Sequence, residues 1–197
     1  MAIRFDDIGN RLRAFRLGSS LSADEVAKRI GISRTALYRF EKGELAKIDT
    51  LEKLADLLEV SIPTLLGVGV EYVASAVSYF ERIRQIEETA EHIVVLAGPI
   101  SYLLASDAFD DILAAILREN IPADLPDRDA ALQQAADIMA VLAARKANFR
   151  SRSPGVVNLL SAIEMDGFLR NGLVGTLELS EAERAERRNL AMAEARN

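Results

Sequence analysis

The chain has no cysteine and a single histidine, His92. Without thiols there is no disulfide, no cysteine nucleophile and no thiolate metal site. One histidine cannot build a histidine-rich zinc site. No apolar run approaches the roughly 18 residues that a membrane span requires. The first residues, Met1-Ala2-Ile3-Arg4-Phe5-Asp6-Asp7, carry acids where a signal peptide has basic residues followed by a long apolar stretch. Glycine-rich phosphate loops, G-x-S-x-G elbows and metal-ligating clusters are missing too. The acidic neighbours Asp110-Asp111 and Glu87-Glu88 point to different sides of a helix, so neither pair converges on one site. These absences lead us to expect a cytoplasmic, non-enzymatic protein with no metal, no cofactor and no membrane partner.

An excess of positive charge is also lacking: the net charge is −6. Its distribution is uneven. Residues 1–66 hold 11 Lys and Arg against 10 Asp and Glu, a net of +1, and the remainder holds 13 against 20, a net of −7. The acidity therefore lies in the second part. A near-neutral first part can still present a basic face if its acids sit elsewhere. What the chain does have is enough apolar residue, 50%, to build a core, with 27% charged residues for solubility. Its length suggests one or two domains.

The first part reads as five short helices with sharp caps. Asp7 to Leu17 carries Ile8, Leu12 and Phe15 at helical spacing and stops at Gly18-Ser19-Ser20. Ser22-Ala23-Asp24-Glu25 and Asp49-Thr50-Leu51-Glu52 have the spacing of capping boxes. They predict helices to about Ile30 and through Leu58. Between them Ser33 caps a helix reaching about Lys42. Ser61-Ile62-Pro63 opens a short fifth helix, with proline in the first turn, where its missing N–H costs nothing. Gly67-Val68-Gly69 reads as a hinge over residues 67–70.

In "ADEVAKRIGISRTALYRF", residues 23–40, Val26 and Ala27 face inward, and Ile30, Ile32, Leu37 and Phe40 complete a buried face. Ala27 is small enough for two helix backbones to cross closely. Gly31 stands where the turn needs a positive φ, which glycine takes without steric cost. This pattern specifies a helix-turn-helix, a motif whose second helix offers its N-terminal residues to the DNA major groove.

Residues 8–66 resemble the phage repressor and Cro family, also called the XRE-type helix-turn-helix family. The resemblance rests on "RLRAFR", "LSADEVAKRIGIS", "RFEKGE" and "LADLLEVSIPTLLG". It implies a five-helix DNA-binding domain over residues 1–66. It also implies roles for Ser33, Arg34, Thr35, Ala36, Tyr38, Arg39 and Lys42. Arg34 and Thr35 fall to base edges, because arginine can bond two guanine acceptors at once and a threonine or alanine methyl can touch a thymine methyl. Arg39 falls to base or phosphate. Ser33, Tyr38 and Lys42 fall to phosphates, which position without specifying. Arg16 and Glu41 occupy positions that pair in the family, and we read them as a structural ion pair. The family often has glutamine where this chain has Ala23, so one contact to the DNA is lost.

The second part reads as helix-rich α+β. An amphipathic helix from Glu71 to about Ala90 places Val73, Val77, Phe80 and Ile83 on one stripe, with Tyr72, Tyr79 and Ile86 beside it. It suits either a dimer seam or packing within one subunit. "HIVVLAG", 92–98, predicts a buried strand, with His92 packed beside it. Asp107–Arg118 and Arg128–Phe149 predict helices around the loop "NIPADLPD". Gly155–Leu160 and "GTLEL", 175–179, predict further strands. Ser161 and Ser180 open capping boxes for two more helices. Arg145, Lys146, Arg150 and Arg152 suit either a small anionic effector or the C-terminal dipole of their own helix.

The expected fold is mainly α, with a five-helix repressor-like domain at 1–66, a hinge at 67–70 and an α+β domain at 71–197 for dimerisation and effector sensing. The expected function is a sequence-specific regulator of transcription that binds double-stranded DNA as a homodimer and represses by occupying its operator. One rival is an antitoxin that binds a toxin protein and its own promoter. The other is an enzyme with an attached DNA-binding module.

Overall fold

The computed structural model describes residues 5–44, 47–68, 73, 75–96, 98–173 and 179–196. Packing divides the chain into two units, Met1–Ile86 and Glu87–Asn197. The compact units thus meet in sequence well beyond residues 67–70. There, Gly67 serves as the left-handed C-cap of the fifth helix, and residues 69 and 70 lie outside the described residues.

The first unit contains α1 (Phe5–Gly18), α2 (Ala23–Ile30), α3 (Arg34–Glu41), α4 (Ile48–Leu57), α5 (Ile62–Leu66) and all but the last residue of α6 (Ala76–Glu87). The predicted five-helix order is present. Leu12, Phe15, Val26, Leu37, Leu54 and Leu65 are the heart of one core. Each contributes about 1.5–3 kcal/mol by leaving water. Ser22 and Glu25 form the reciprocal capping box that opens α2. The corresponding expectation at Asp49–Glu52 fails. Helix α4 already begins at Ile48, its N-cap is Lys47, and no side chain caps it. Asp49 instead lies in the first turn, where its charge suits the helix dipole.

Helix α6 follows the expected pattern in part, with Phe80 and Ile83 half-buried. It buries Val77 as predicted, together with Ser78, Glu81 and Gln85, while Tyr79 and Ile86 stay 52% and 61% exposed. The polar side faces α1 because hydrogen bonds hold it there. Ser78 Oγ donates to the Ala14 carbonyl at 3.0 Å, and Gln85 Nε2 donates to the Asn10 carbonyl at 3.0 Å. Residues 71, 72 and 74 of the longer predicted helix lie outside the described residues.

The second unit contains β1 (His92–Leu96), α7 (Asp107–Glu119), α8 (Arg128–Arg152), β2 (Gly155–Leu159), α9 (Ala162–Asn171) and α10 (Glu181–Glu194). The strands pair in parallel, Val94 opposite Val157 and Leu96 opposite Leu159. Parallel strands need a crossover connection, and α7 and α8 lie within it. The predicted burial of β1 is corrected: its residues alternate exposed and half-buried, and so do those of β2. His92 is likewise exposed rather than packed. Ser180 forms its capping box in full, whereas at Ser161 the serine half is observed, with its Oγ accepting from the Glu164 N–H. Residues 175–178 of the predicted third strand lie outside the described residues.

The apolar burial of this unit is divided. Ala105, Phe109, Phe168 and Ala191 form one cluster, with Tyr102, Leu113 and Met165 packed around, and Leu103, Ile116, Ala135 and Leu142 are buried outside it. Buried ion pairs complete the packing. Arg145 donates to both oxygens of Glu87 at 2.8 and 2.7 Å. Lys146, 3% exposed, donates to Asp110 at 2.6 Å and to the Ser106 carbonyl at 3.1 Å. Its Nζ also lies 4.5 Å from the centre of the Tyr102 ring.

Candidate nucleic-acid interface

Helix α3 is held from behind. Leu37 is fully buried in the core and Glu41 lies at 7% exposure. Arg16 of α1 reaches Glu41 through two hydrogen bonds, Nε to Oε1 at 2.5 Å and Nη2 to Oε2 at 3.1 Å. The expected Arg16–Glu41 pair is therefore a buried, bidentate clamp between α1 and α3. Gly9 makes the approach of the two helices possible. A Cβ at Gly9 would stand 2.6 Å from the Glu41 carbonyl oxygen and 2.7 Å from the Gly43 nitrogen. Sequence reasoning passed over Gly9, since a glycine inside a helix announces a close contact only when the partner is known.

The turn between α2 and α3 is built on Gly31, with φ 76° and ψ 35°. Apart from its chain neighbours, no atom lies within 4 Å of a Cβ placed there, so the left-handed backbone alone requires glycine. The Gly31 N–H closes onto the Ala27 carbonyl. Ser33 then caps α3, its Oγ accepting from the Ala36 N–H at 3.1 Å. A hydroxyl that accepts in this way still has its own proton to donate.

The front of α3 is open. Arg34, Thr35, Tyr38, Arg39 and Lys42 are exposed, as is Ser33, and Ala36 is half-buried. Arg34, Tyr38 and Lys42 follow one another at four-residue spacing, with Thr35 and Arg39 alongside. The structure thus brings the seven sequence-predicted residues onto one helix and its flanks. Tyr38 has a further part here: its hydroxyl accepts from Arg34 Nε at 3.3 Å and from Nη2 at 3.1 Å. Arg34 also donates from Nη1 to Asp24 Oδ2 at 3.0 Å. The hydrogen bond to the Tyr38 hydroxyl, and after it the charge of Asp24, raise the Arg34 pKa above its usual value. Arg39 donates to Glu44 at 2.7 Å, a bond that lowers the Glu44 pKa. Sequence reasoning missed Asp24 and Glu44. The position before Asp24 explains part of this: Ala23, where the repressor family often has glutamine, is buried in the core, which leaves Asp24 as the polar residue at the front of α2.

The four cations at the end of α8 all have acceptors within the second unit. Arg145 and Lys146 are committed to Glu87 and Asp110. Arg150 donates to Asp107 at 2.6 Å, and Arg152 donates to the Glu87 carbonyl at 2.9 Å and to that of Glu88. Arg145 and Lys146 are thus held by acceptors in the interior of the unit, while Arg150 and Arg152 stay exposed. Among the described residues, no group of three or more His, Cys, Asp or Glu side chains could hold a metal ion, and no helix is long and apolar enough to cross a membrane.

Residues 7–66 match the family model of a helix-turn-helix domain. No curated protein and no solved structure matches the chain. The matched segment is the one that contains the glycine turn, the clamped helix α3 and its open polar front. Residues 7–66 are a helix-turn-helix domain, in keeping with the repressor-and-Cro resemblance, and this domain marks the chain as a DNA-binding regulator.

Proposed function

We propose that the chain is a sequence-specific, dimeric transcriptional repressor acting in the cytoplasm, without catalytic activity. The observation that carries this reading is helix α3, fixed from behind by Leu37 and the Arg16–Glu41 clamp and open in front at Arg34, Thr35, Tyr38 and Arg39. A rigid helix with exposed donors is what major-groove readout requires. In this reading Arg34 and Thr35 meet base edges, Arg39 base or phosphate, and Ser33, Tyr38 and Lys42 phosphates. Repression follows from occupancy of an operator. The test is selection of bound duplexes from a random library by the full chain. A defined motif supports the reading, and the absence of any enriched sequence overturns it.

Dimerisation finds support in two apolar surfaces that are exposed among the described residues. One is the outer side of α6, with Tyr79 and Ile86 exposed. The other is the exposed side of the β1–β2 pair, where Val94, Leu96, Val157 and Leu159 stand together. Two linked reading heads gain effective concentration for a second half-site, which raises affinity on the order of 10²–10⁴-fold. Light scattering of the full chain, with titration of a palindromic site and its half-site, tests this. A monomer at micromolar concentration that binds both equally well defeats the dimer.

The same sheet surface favours a second reading, an antitoxin that covers it with a toxin protein. Parallel sheets ordinarily have both faces covered, and a different protein would serve as well as a second copy. Stable co-purification of a small toxic protein encoded beside this chain would decide for that reading.

A further inference from the structure

The charge around Arg34 is not what maximal attraction to DNA would select. Its guanidinium, meant in the proposed reading for the major groove, is met at 3.0 Å by the carboxylate of Asp24, from the first turn of the neighbouring helix. Both side chains are exposed, 56% and 67%, so neither burial nor core packing requires the pair. We propose that Asp24 is a specificity-determining residue: it orients Arg34 toward a guanine edge and turns it away from phosphate. This inference rests on the DNA-binding reading above.

The donor count supports it. A guanidinium has five N–H groups. The Nε–H and one N–H of Nη2 go to the Tyr38 hydroxyl, and one N–H of Nη1 goes to Asp24 Oδ2. One N–H remains on each terminal nitrogen. Two donors on the neighbouring terminal nitrogens can match the O6 and N7 acceptors of guanine. The tyrosine ring lies alongside, 5.3 Å from Arg34 Cζ to its centre, so the side chain is restrained before DNA arrives. Less rotamer freedom is then lost on binding.

A phosphate offers two acceptors as well, and geometry alone would not reject it. Charge does. A phosphate beside Arg34 also comes close to the Asp24 carboxylate, and the like charges repel. A guanine edge is neutral and meets no such repulsion. Asp24 therefore weakens the sequence-independent contact more than the specific one, which raises the ratio between them. Its cost in total affinity is the cost of discrimination.

The experiment starts with library selection by the full wild-type chain. The selected duplex, its single-base variants and an unrelated duplex are then titrated at several salt concentrations with wild type, Asp24→Ala, Asp24→Asn and Arg34→Lys, each checked by thermal melting. Asp24→Asn keeps the volume and decides the matter if the alanine variant melts early. Both Asp24 variants are expected to bind the unrelated duplex several-fold more tightly and to lose about tenfold or more of the preference at one G·C pair. Their binding should also become more salt-dependent, with a slope steeper by about one as Arg34 takes up a phosphate. Arg34→Lys, which keeps the charge without the paired donors, should lose the same base preference. If Asp24→Asn keeps wild-type preference at every position, or strengthens all duplexes by one common factor, the inference is overturned and the DNA-binding reading stands. If wild type selects no motif, that reading itself has failed.

Discussion

The two units of this chain reach stability by different means. The first gathers eleven buried residues into one apolar core and sets two bidentate ion pairs beside it, Arg16–Glu41 and Arg84–Glu81. The second has four residues in its buried apolar cluster and sets charged groups inside, with Arg145 on Glu87, Lys146 on Asp110, and Glu194 accepting from the Ser106 N–H at 2.9 Å. Apolar packing is forgiving as long as volume and pattern are kept. Buried charges are not: each must find its partner, or its desolvation goes uncompensated. The difference predicts which substitutions each unit tolerates.

The sharpest way to break the comparison is Glu87→Ala. It removes the bidentate carboxylate from a buried Arg145, and we expect a loss of about 3–5 kcal/mol, read as a lower melting transition of the second unit. Replacing both partners with apolar residues of similar volume, Glu87→Leu with Arg145→Met, should restore most of it. If the single variant is neutral, the pair does not hold the second unit together. In the first unit, Leu37→Ala removes a fully buried side chain behind the reading helix and should cost about 2–5 kcal/mol by denaturant titration.

Gly31→Val is expected to be milder, about 1–3 kcal/mol, because it strains a left-handed turn without meeting a neighbour. Unchanged thermal stability would show that the turn relaxes to another backbone. Ser22→Ala removes the cap of α2 and should cost about 1 kcal/mol, with less helical signal in the first unit as the second measure.

The pH response gives the gentlest test. Burial tends to raise the pKa of Glu81, but its hydrogen bonds from Arg84, the charges of Arg84 and Arg13 and a bond from Gln85 outweigh burial and lower it. A carboxylate whose folded pKa is depressed contributes stability that is present above its unfolded pKa. That stability is lost as pH falls through the folded value. Acidification should therefore loosen α6 from α1. Glu81→Gln should flatten the acid limb of the first unit's melting curve. An unchanged acid limb would assign it to other carboxylates.

Legibility followed the same divide. The helices of the first unit could be read because local signals agreed: Ser22 with Glu25, Ser33 before Arg34, Gly31 between two apolar runs, Ser61 before Pro63. The front of α3 was legible for the same reason, since Leu37, Phe40 and Glu41 point back while Arg34, Tyr38 and Arg39 are exposed. Asp49 misled because a sequence-perfect capping box competes with the start of a helix whose N-cap, Lys47, lies two residues earlier. In the second unit the strands at His92 and Gly155 were visible as β-branched runs, but their exposure was not. A short apolar run says that a strand is present and does not say which layers cover it.

By itself, then, the sequence determined the helices, their caps, the glycine turn and the row of donors from Ser33 to Lys42, because each depends on residues a few positions apart. Tertiary structure decided the rest. It turned the polar side of α6 toward α1, joined Arg145 and Lys146 to acids far away in the chain, brought Gly9 against the end of α3 and placed Asp24 at Arg34. Such contacts depend on which surfaces meet, and a long side chain on a helix has no preference for a distant partner until the fold brings one within reach.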